Sequence, residues 1–538
     1  MPPESIRKRS SRRLAWLGLA LALCADAAQA GPAGNVLRIG NGAEPQTLDP
    51  HKTETVDGSR IVRDLCEGLT IVSPKGETIP GAAESWQISP DGLEYIFFLR
   101  PQARWSNGDP VVAEDFVAGL RRAADPKTGS SYAQMLEPLL NAPEVITGKK
   151  PPDSLGVEAV DDHTLLLRLR GPTPYLLGML SHTTTFPIHR PSLKQYGDQF
   201  ARPGHMVCNG AYTLDDWVVQ SHVRIQRNRH YWNDAQTHID TVMYYATEDQ
   251  NSELKAYRAG DLDWATGYPV IQTPWIRKNL PAEFKMAPYL GISYFGYNLT
   301  RAPFKDNLKL RQALSLAIDR DIIGEKVLYG LSLPSYGWIP PRTEGVTPQT
   351  PAWSKWTQAQ RLALARKLYA EAGYSKEHPA EVEIRYNTSE NNKRVSVVVA
   401  AMWKQWLGVK STLVNEEWKV FLNTRKLKKK TQVFRSAWIG DYNDASTFLD
   451  IMQSTHGQND TGWSNAQYDA LLVQAAAETD PLRRQAQLEQ AERILLEDLP
   501  MIPLTFYVSK NLVKPWVRQW QDNILDYHYS KDMRIEGY

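Results

Sequence analysis

The sequence predicts an α/β protein built of two or three lobes. Three observations carry that prediction. The chain has 538 residues, more than one hydrophobic core usually serves. Short alternating apolar runs and amphipathic helical stripes follow one another in mixed order. Beyond residue 298 the pattern shifts toward long helices. Hydrophobic residues make up 42% and charged residues 23%, ordinary for a globular chain in water. The net charge is +2; residues 1–30 hold five basic and two acidic side chains, so the remainder carries −1. Such a balance gives no electrostatic footprint for nucleic acid or a membrane surface.

The first 30 residues read as a Sec signal peptide. Arg7, Lys8, Arg9, Arg12 and Arg13 precede an apolar run from Leu14 to Leu23, and Ala28-Gln29-Ala30 gives a small-x-small cleavage pattern. The run is short for a bilayer span. The mature chain is expected to start near Gly31 in the periplasm. A lipid anchor on Cys24 is not expected, because Leu23 before it is bulky. Two cysteines then remain, Cys66 and Cys208. An oxidising compartment permits a bridge, but spacing alone leaves a disulfide and two separate buried thiols equally open.

Taken in order, residues 36–40 form a short strand that runs into a loop. A helix is expected over 59–69, with Ile61, Leu65 and Leu69 on one face. Residues 70–105 alternate strand and turn, and Asp91-Gly92 marks a hairpin. A helix over 111–124 stops at Asp125-Pro126. Residues 161–170 give another hairpin strand, 209–229 are strand-like, and 238–247 form a strand. Asp249 to Gly260 reads as a helix closed by glycine, followed by a strand at 261–264. Residues 292–298 are an aromatic-rich strand containing Tyr294. Helical stripes follow from Leu310, from Leu362 up to Gly373, and from Val395 up to Gly408. Helices at 465–478 and 481–498 precede a last strand at 502–508. The Pro- and Trp-rich stretch 331–356 reads as packed coil.

The chain lacks His-Glu-x-x-His, Gly-x-Ser-x-Gly, a phosphate-binding glycine loop and a dinucleotide fingerprint. Its histidines are scattered, which argues against a metal site. Glu114-Asp115 and Glu416-Glu417 read as solvated helix surfaces, and Lys426 with Lys428 to Lys430 as a solvated turn. No enzyme chemistry and no cofactor are indicated. A secreted α/β hydrolase with dispersed catalytic residues stays open as a remote alternative.

One stretch stands out, Arg435-Ser436-Ala437-Trp438-Ile439-Gly440-Asp441-Tyr442-Asn443. It reads as a strand ending in a turn, with Asp441 at the strand's end. A strand edge can hydrogen-bond an extended peptide, and a carboxylate there can pair with the peptide's α-ammonium. Further markers precede it in order: Thr47-Leu48-Asp49-Pro50, Glu67-Gly68-Leu69, Pro80 to Trp86, Trp105 to Val111, Asn209-Gly210-Ala211-Tyr212, and Arg311 to Leu314 with Asp319-Arg320. This series resembles the peptide-, nickel- and dipeptide-binding family of bacterial solute-binding proteins, nearest its oligopeptide and murein-tripeptide binders.

The resemblance implies a type II-like periplasmic binding fold, with two lobes closing on ligand and an inserted third domain. Domain I would comprise 31–66, 190–290 and 508–538, domain II 67–189, and domain III 291–507. The function implied is binding of short extended peptides for an ABC importer, whose membrane permease would be the partner. A specialised murein-tripeptide binder is the alternative, and some relatives bind nickel or haem. A monomer is expected. Carried over by position, Glu54 to Val56 and Ala437 to Ile439 would supply main-chain bonds and Asp441 would hold the α-ammonium. Tyr132, Trp418 and Trp438 would line side-chain pockets, and Arg425 and Arg435 would meet ligand carboxylates. Asn392 and Tyr294 complete the candidates. Leu328 and Asn392 stand where the oligopeptide binder carries Lys and His, and Gly291 and Ile439 where it carries cysteines. Recognition of the ligand C-terminus is therefore expected to differ.

Overall fold

β-branched and aromatic runs pair into two main sheets, and the longest of these runs tie the molecule together. The computed structural model describes residues 35–537; the expected signal segment and Cys24 lie outside the described residues. The large sheet is organised on two long antiparallel neighbours, Phe284–Tyr297 and Met501–Val513. On one side of this pair lie Trp264–Ala265, Val36–Gly40, Thr241–Tyr245, His222–Arg227 and Tyr212–Val218, in that order. On the other lie Val433–Ile439, Glu381–Asn387 and Lys410–Glu416. The short strand Ser332–Pro334 adds to Met501–Val513.

Each half contains parallel pairs that need helical crossovers. Val36–Gly40 runs parallel to Thr241–Tyr245 and to Trp264–Ala265, the latter two joined by helix Gln250–Ala259. Glu381–Asn387 runs parallel to Lys410–Glu416 across helix Glu390–Leu407. Caps fix these helices where the sequence places them. Asp249 accepts from the Ser252 N–H and Gly260 takes the left-handed conformation; Ser389 and Gly408 do the same for the longer helix. A second, four-stranded antiparallel sheet has the order Ala83–Ile88, Glu94–Leu99, Thr164–Arg168, Val157–Asp161. Helix Ala113–Ala124 shares a core with it through Phe97, Phe116, Leu120 and Leu165.

Several expectations shift. The helix near 59–69 is Val56–Leu65, because Thr55 caps it by accepting from the Gly58 N–H; Leu69 belongs to the next turn. The run 209–229 is a hairpin that turns at Gln220, which has a positive φ. Residues 261–264 give only the strand Trp264–Ala265, with Asp263 just before it pairing its carboxylate with Arg38. The strand at 292–298 starts at Phe284. Asp115 is not on a solvated face. It is buried and accepts from the Trp105 indole, the Val112 N–H and Arg190. Glu416 ends a strand rather than lying on a helix, and it pairs with Arg385. Cys66 and Cys208 are bridged, with Cα atoms 5.1 Å apart.

Most of the marker motifs turn out to hold the fold. Asp49 pairs with Arg122 of helix Ala113–Ala124. Buried Glu67 accepts from the Tyr231 hydroxyl and the Trp232 indole. Asn209 closes on the Glu67 backbone, accepting from its N–H at 3.0 Å and donating to its carbonyl at 2.9 Å. A Cβ on Gly210 would lie 2.6 Å from the Leu65 backbone, so only glycine allows that approach. Arg311 donates to the carbonyls of Phe304, Asp498 and Leu499. Arg320 is fully buried, donates to the carbonyls of Pro503 and Ser315, and burial lowers its pKa to about 10.

Candidate functional site

The strand Val433–Ile439 is held firmly on one side only. It pairs antiparallel with Phe284–Tyr297 from Val433 to Ile439. On its other edge Glu381–Asn387 reaches only Val433 and Phe434. Residues 435–439 therefore leave an edge with no strand partner among the described residues, a template for an added strand. Close packing fixes the paired side. A Cβ on Gly296 would meet the Phe434 ring at 2.3 Å, and one on Gly291 would meet Ile439 at 2.5 Å.

Asp441 sits just past this edge. Gly440 N–H donates to the Leu290 carbonyl at 2.8 Å, and Leu290 N–H donates to the Ile524 carbonyl at 2.8 Å. That row sets the strand end beside the C-terminal segment 523–530. The Asp441 N–H turns toward Thr447 Oγ1 at 3.4 Å. Its part-buried carboxylate has no hydrogen bond or ion pair among the described residues. Burial without a partner pushes its pKa up to about 7. Its charge raises the phenol pKa values of Tyr132 and Tyr527, after burial as the larger cause for both. One carboxylate thus acts on phenols from two distant parts of the chain.

The two arginines differ sharply. Arg425 is buried, forms an ion pair with Asp460 and donates to Ser436 Oγ at 2.8 Å. Arg435 donates to the Tyr507 hydroxyl at 2.9 Å and has no ion pair among the described residues; its Nε is buried without a partner. Tyr294 is buried edge-on against Trp338, with centroids 4.9 Å apart, beneath this cluster. Trp438 is part-buried on the same core and donates weakly to Thr447 Oγ1 at 3.4 Å. Ala437 and Ile439 are part-buried on the strand.

The remaining candidates are less concentrated. Tyr132 is part-buried, its ring 5.1 Å from that of His182. Glu54 is exposed and accepts from Ser131 Oγ at 2.5 Å. Val56 opens helix Val56–Leu65 and is 49% exposed, so it offers a helix-end N–H rather than a strand edge. Trp418 opens helix Trp418–Leu427. Asn392 lies in the first turn of Glu390–Leu407, donating to Asn387 Oδ1 at 2.9 Å. Leu328 packs on the core of the helical half.

Sequence reasoning missed several residues here. Tyr442 stacks on Tyr175 with rings parallel and 5.2 Å apart. Asp444 beside it pairs with Arg484, whose guanidinium lies over Tyr175. A cavity of about 190 Å³ opens next to this contact. Tyr442 was within reach, being adjacent to Asp441; Tyr175 carries no local signal. Tyr527 and Arg63 were missed for the same reason.

A two-lobed mixed sheet, an additional antiparallel module and a carboxylate at a strand edge, both without a partner among the described residues, mark a solute-binding protein. The chain belongs to the family described as bacterial extracellular solute-binding proteins, family 5, whose middle region matches residues 77–460. The periplasmic oligopeptide-binding protein OppA of Escherichia coli (strain K12) is 39% identical over 499 residues, covering 92% of this chain and 91% of that protein. The probable deoxycholate-binding periplasmic protein YgiS of the same organism is 38% identical over 506 residues, covering 94% of each. Among solved structures, the Escherichia coli murein tripeptide binding protein MppA superposes with a TM-score of 0.84 at 36% identity, over 94% of this chain and all but 1% of that one. The fold is therefore the two-lobed, type II-like periplasmic binding fold.

Proposed function

We propose that this protein is the periplasmic binding component of an ABC importer for short peptides, and not an enzyme. The peptide would lie extended along the free edge of residues 435–439, its α-ammonium on Asp441. The observation that carries this reading is the Asp441 carboxylate, part-buried and without a cation partner among the described residues. A carboxylate held in that state gains from a ligand ammonium and from few other groups. Deoxycholate, an acid without an ammonium, fits it poorly. Tyr132, whose ring lies 5.1 Å from that of His182, and Trp438, part-buried on the core, would flank the path, and a membrane permease would receive the closed form. The domain boundaries stay as the resemblance implies, and the strands Phe284–Tyr297 and Met501–Val513, shared by both halves of the sheet, would carry the hinge.

Arg435 is the cation best placed to take a ligand carboxylate, since its Nε is unspent. Arg425 loses support for that role, because Asp460 already neutralises it. The murein-tripeptide reading, if it holds, would then run through Arg435. The deciding experiment is mass spectrometry of ligand released on denaturing protein purified from the periplasm, followed by calorimetry with free and N-acetylated tripeptides. Ordinary peptides with free amino ends, and loss of binding on acetylation, are the expected results. A single species with the mass of L-Ala-γ-D-Glu-diaminopimelate would select the murein reading. Recovery of a bile acid, or equal binding of acetylated peptides, would overturn the role of Asp441.

A further inference from the structure

A second charge without an ion pair among the described residues acts on the same tyrosine as Asp441, Tyr527. Arg63 stands in the last turn of helix Val56–Leu65 and is only 8% exposed. Its guanidinium makes no hydrogen bond and no ion pair among the described residues. Its neighbours on the helix are spent. Arg60 donates to Asn41 Oδ1 at 2.7 Å, and Asp64 accepts from the Tyr244 hydroxyl and the Ser530 N–H. Arg63 instead lies over the Tyr527 ring, Cζ 3.7 Å from its centroid.

Hydrogen bonds tie the helix that carries Arg63 and the strand end that carries Asp441 to one shared segment. Segment 523–530 is tied at Ile524 to Leu290, and through Leu290 to Gly440. At Ser530 the same segment is tied to Asp64 of the helix that carries Arg63. Tyr527 lies between these two ties, and its phenol responds to both charges, lowered by Arg63 and raised by Asp441. The other titratable groups that feel Arg63 are His182, Tyr289 and Tyr529. His182 is held neutral, its pKa lowered by burial to about 4. No carboxylate among the described residues forms an ion pair with the guanidinium.

We propose that Arg63 sets a charge preference for the first side chain of a bound peptide, favouring an acidic residue and rejecting a basic one. The proposal rests on the peptide reading above. A first residue anchored by its ammonium on Asp441 directs its side chain past Tyr527 toward Arg63. A carboxylate there completes the planar guanidinium fork. A lysine there sets two like charges in a poorly hydrated space.

The test is calorimetry of Ala-Ala-Ala, Glu-Ala-Ala and Lys-Ala-Ala on the wild-type protein and on Arg63→Met and Arg63→Lys. The wild type should bind Glu-Ala-Ala at least about tenfold more tightly than Lys-Ala-Ala, a difference well within calorimetric range. Arg63→Met should bring that ratio near one, and Arg63→Lys should keep its direction. Equal affinities in the wild type, or an unchanged ratio in Arg63→Met, would overturn the proposal. Should Arg63→Met fail to fold, the wild-type ratio and its retention in Arg63→Lys decide the matter. Absence of binding by all three peptides would instead overturn the peptide reading, and this proposal with it.

Discussion

Asp441 carries its proton to an unusually high pH for a carboxyl, about 7 in the ligand-free protein, because it is withdrawn from water without a cation. A ligand ammonium would favour the ionised form, so binding below pH 7 must expel a proton. Peptide affinity is therefore expected to fall as pH drops from about 7.5 to about 5.5, read as a Kd series by calorimetry. The sign for stability is opposite. A carboxyl raised in the folded state contributes stability below its ordinary value of 3.8 and loses it as pH rises through about 7. Asp441→Asn should flatten both dependences and cost roughly 3–5 kcal/mol of affinity for free-amine peptides by leaving the ligand charge unpaired. At this scale the turn formers Gly440 and Asn443 made Asp441 legible. That Arg425 is taken was not legible, because Asp460 is brought to it by folding rather than by spacing.

Among the elements, the stretch 331–356, regularly paired only at Ser332–Pro334, shows how a coil is held. Glu492, fully buried in helix Pro481–Asp498, accepts from the N–H groups of Trp338, Ile339 and Gln349. Burial pushes its pKa up to about 7 even though those three bonds oppose the shift. Glu492→Ala would strand three donors, two of them buried and each of those worth about 1–3 kcal/mol. A loss of about 3 kcal/mol or more is expected in denaturant unfolding. The Pro and Trp content announced packed coil, but not the carboxylate that organises it. Helix ends were legible at the local caps Asp249, Gly260 and Gly408, but not at Thr55 or Ser389, where the apolar stripe begins later than the cap. The extent of Phe284–Tyr297 was not, because its first residues are strand only through pairing with Met501–Val513.

At the scale of the whole molecule, the bridge between Cys66 and Cys208 closes a loop of 142 residues. It ties the end of helix Val56–Leu65 to the segment that leads into Tyr212–Val218. Chain-entropy reasoning gives such a loop up to about 5 kcal/mol. The double variant Cys66→Ala, Cys208→Ala should show a clearly lower thermal midpoint, and added reductant should then have no further effect on it. An unchanged midpoint would mean that packing around Leu65 and Gly210 already fixes this join. The stacked Tyr175 and Tyr442, with Arg484 over one ring, add a contact between segments far apart in the chain.

The order of strands and helices, the caps and the run of motifs were determined by the sequence itself, and with them the family. These are local properties, set by periodicity over a few residues and by side chains that bond to nearby backbone. Tertiary structure decided which charges are spent and which are free. Arg425, Asp115 and Glu416 are neutralised by distant partners, while Asp441 and Arg63 have no ion pair among the described residues. It also decided that the two cysteines meet. A partner's identity depends on contacts between residues tens to hundreds of positions apart, and no local pattern encodes them.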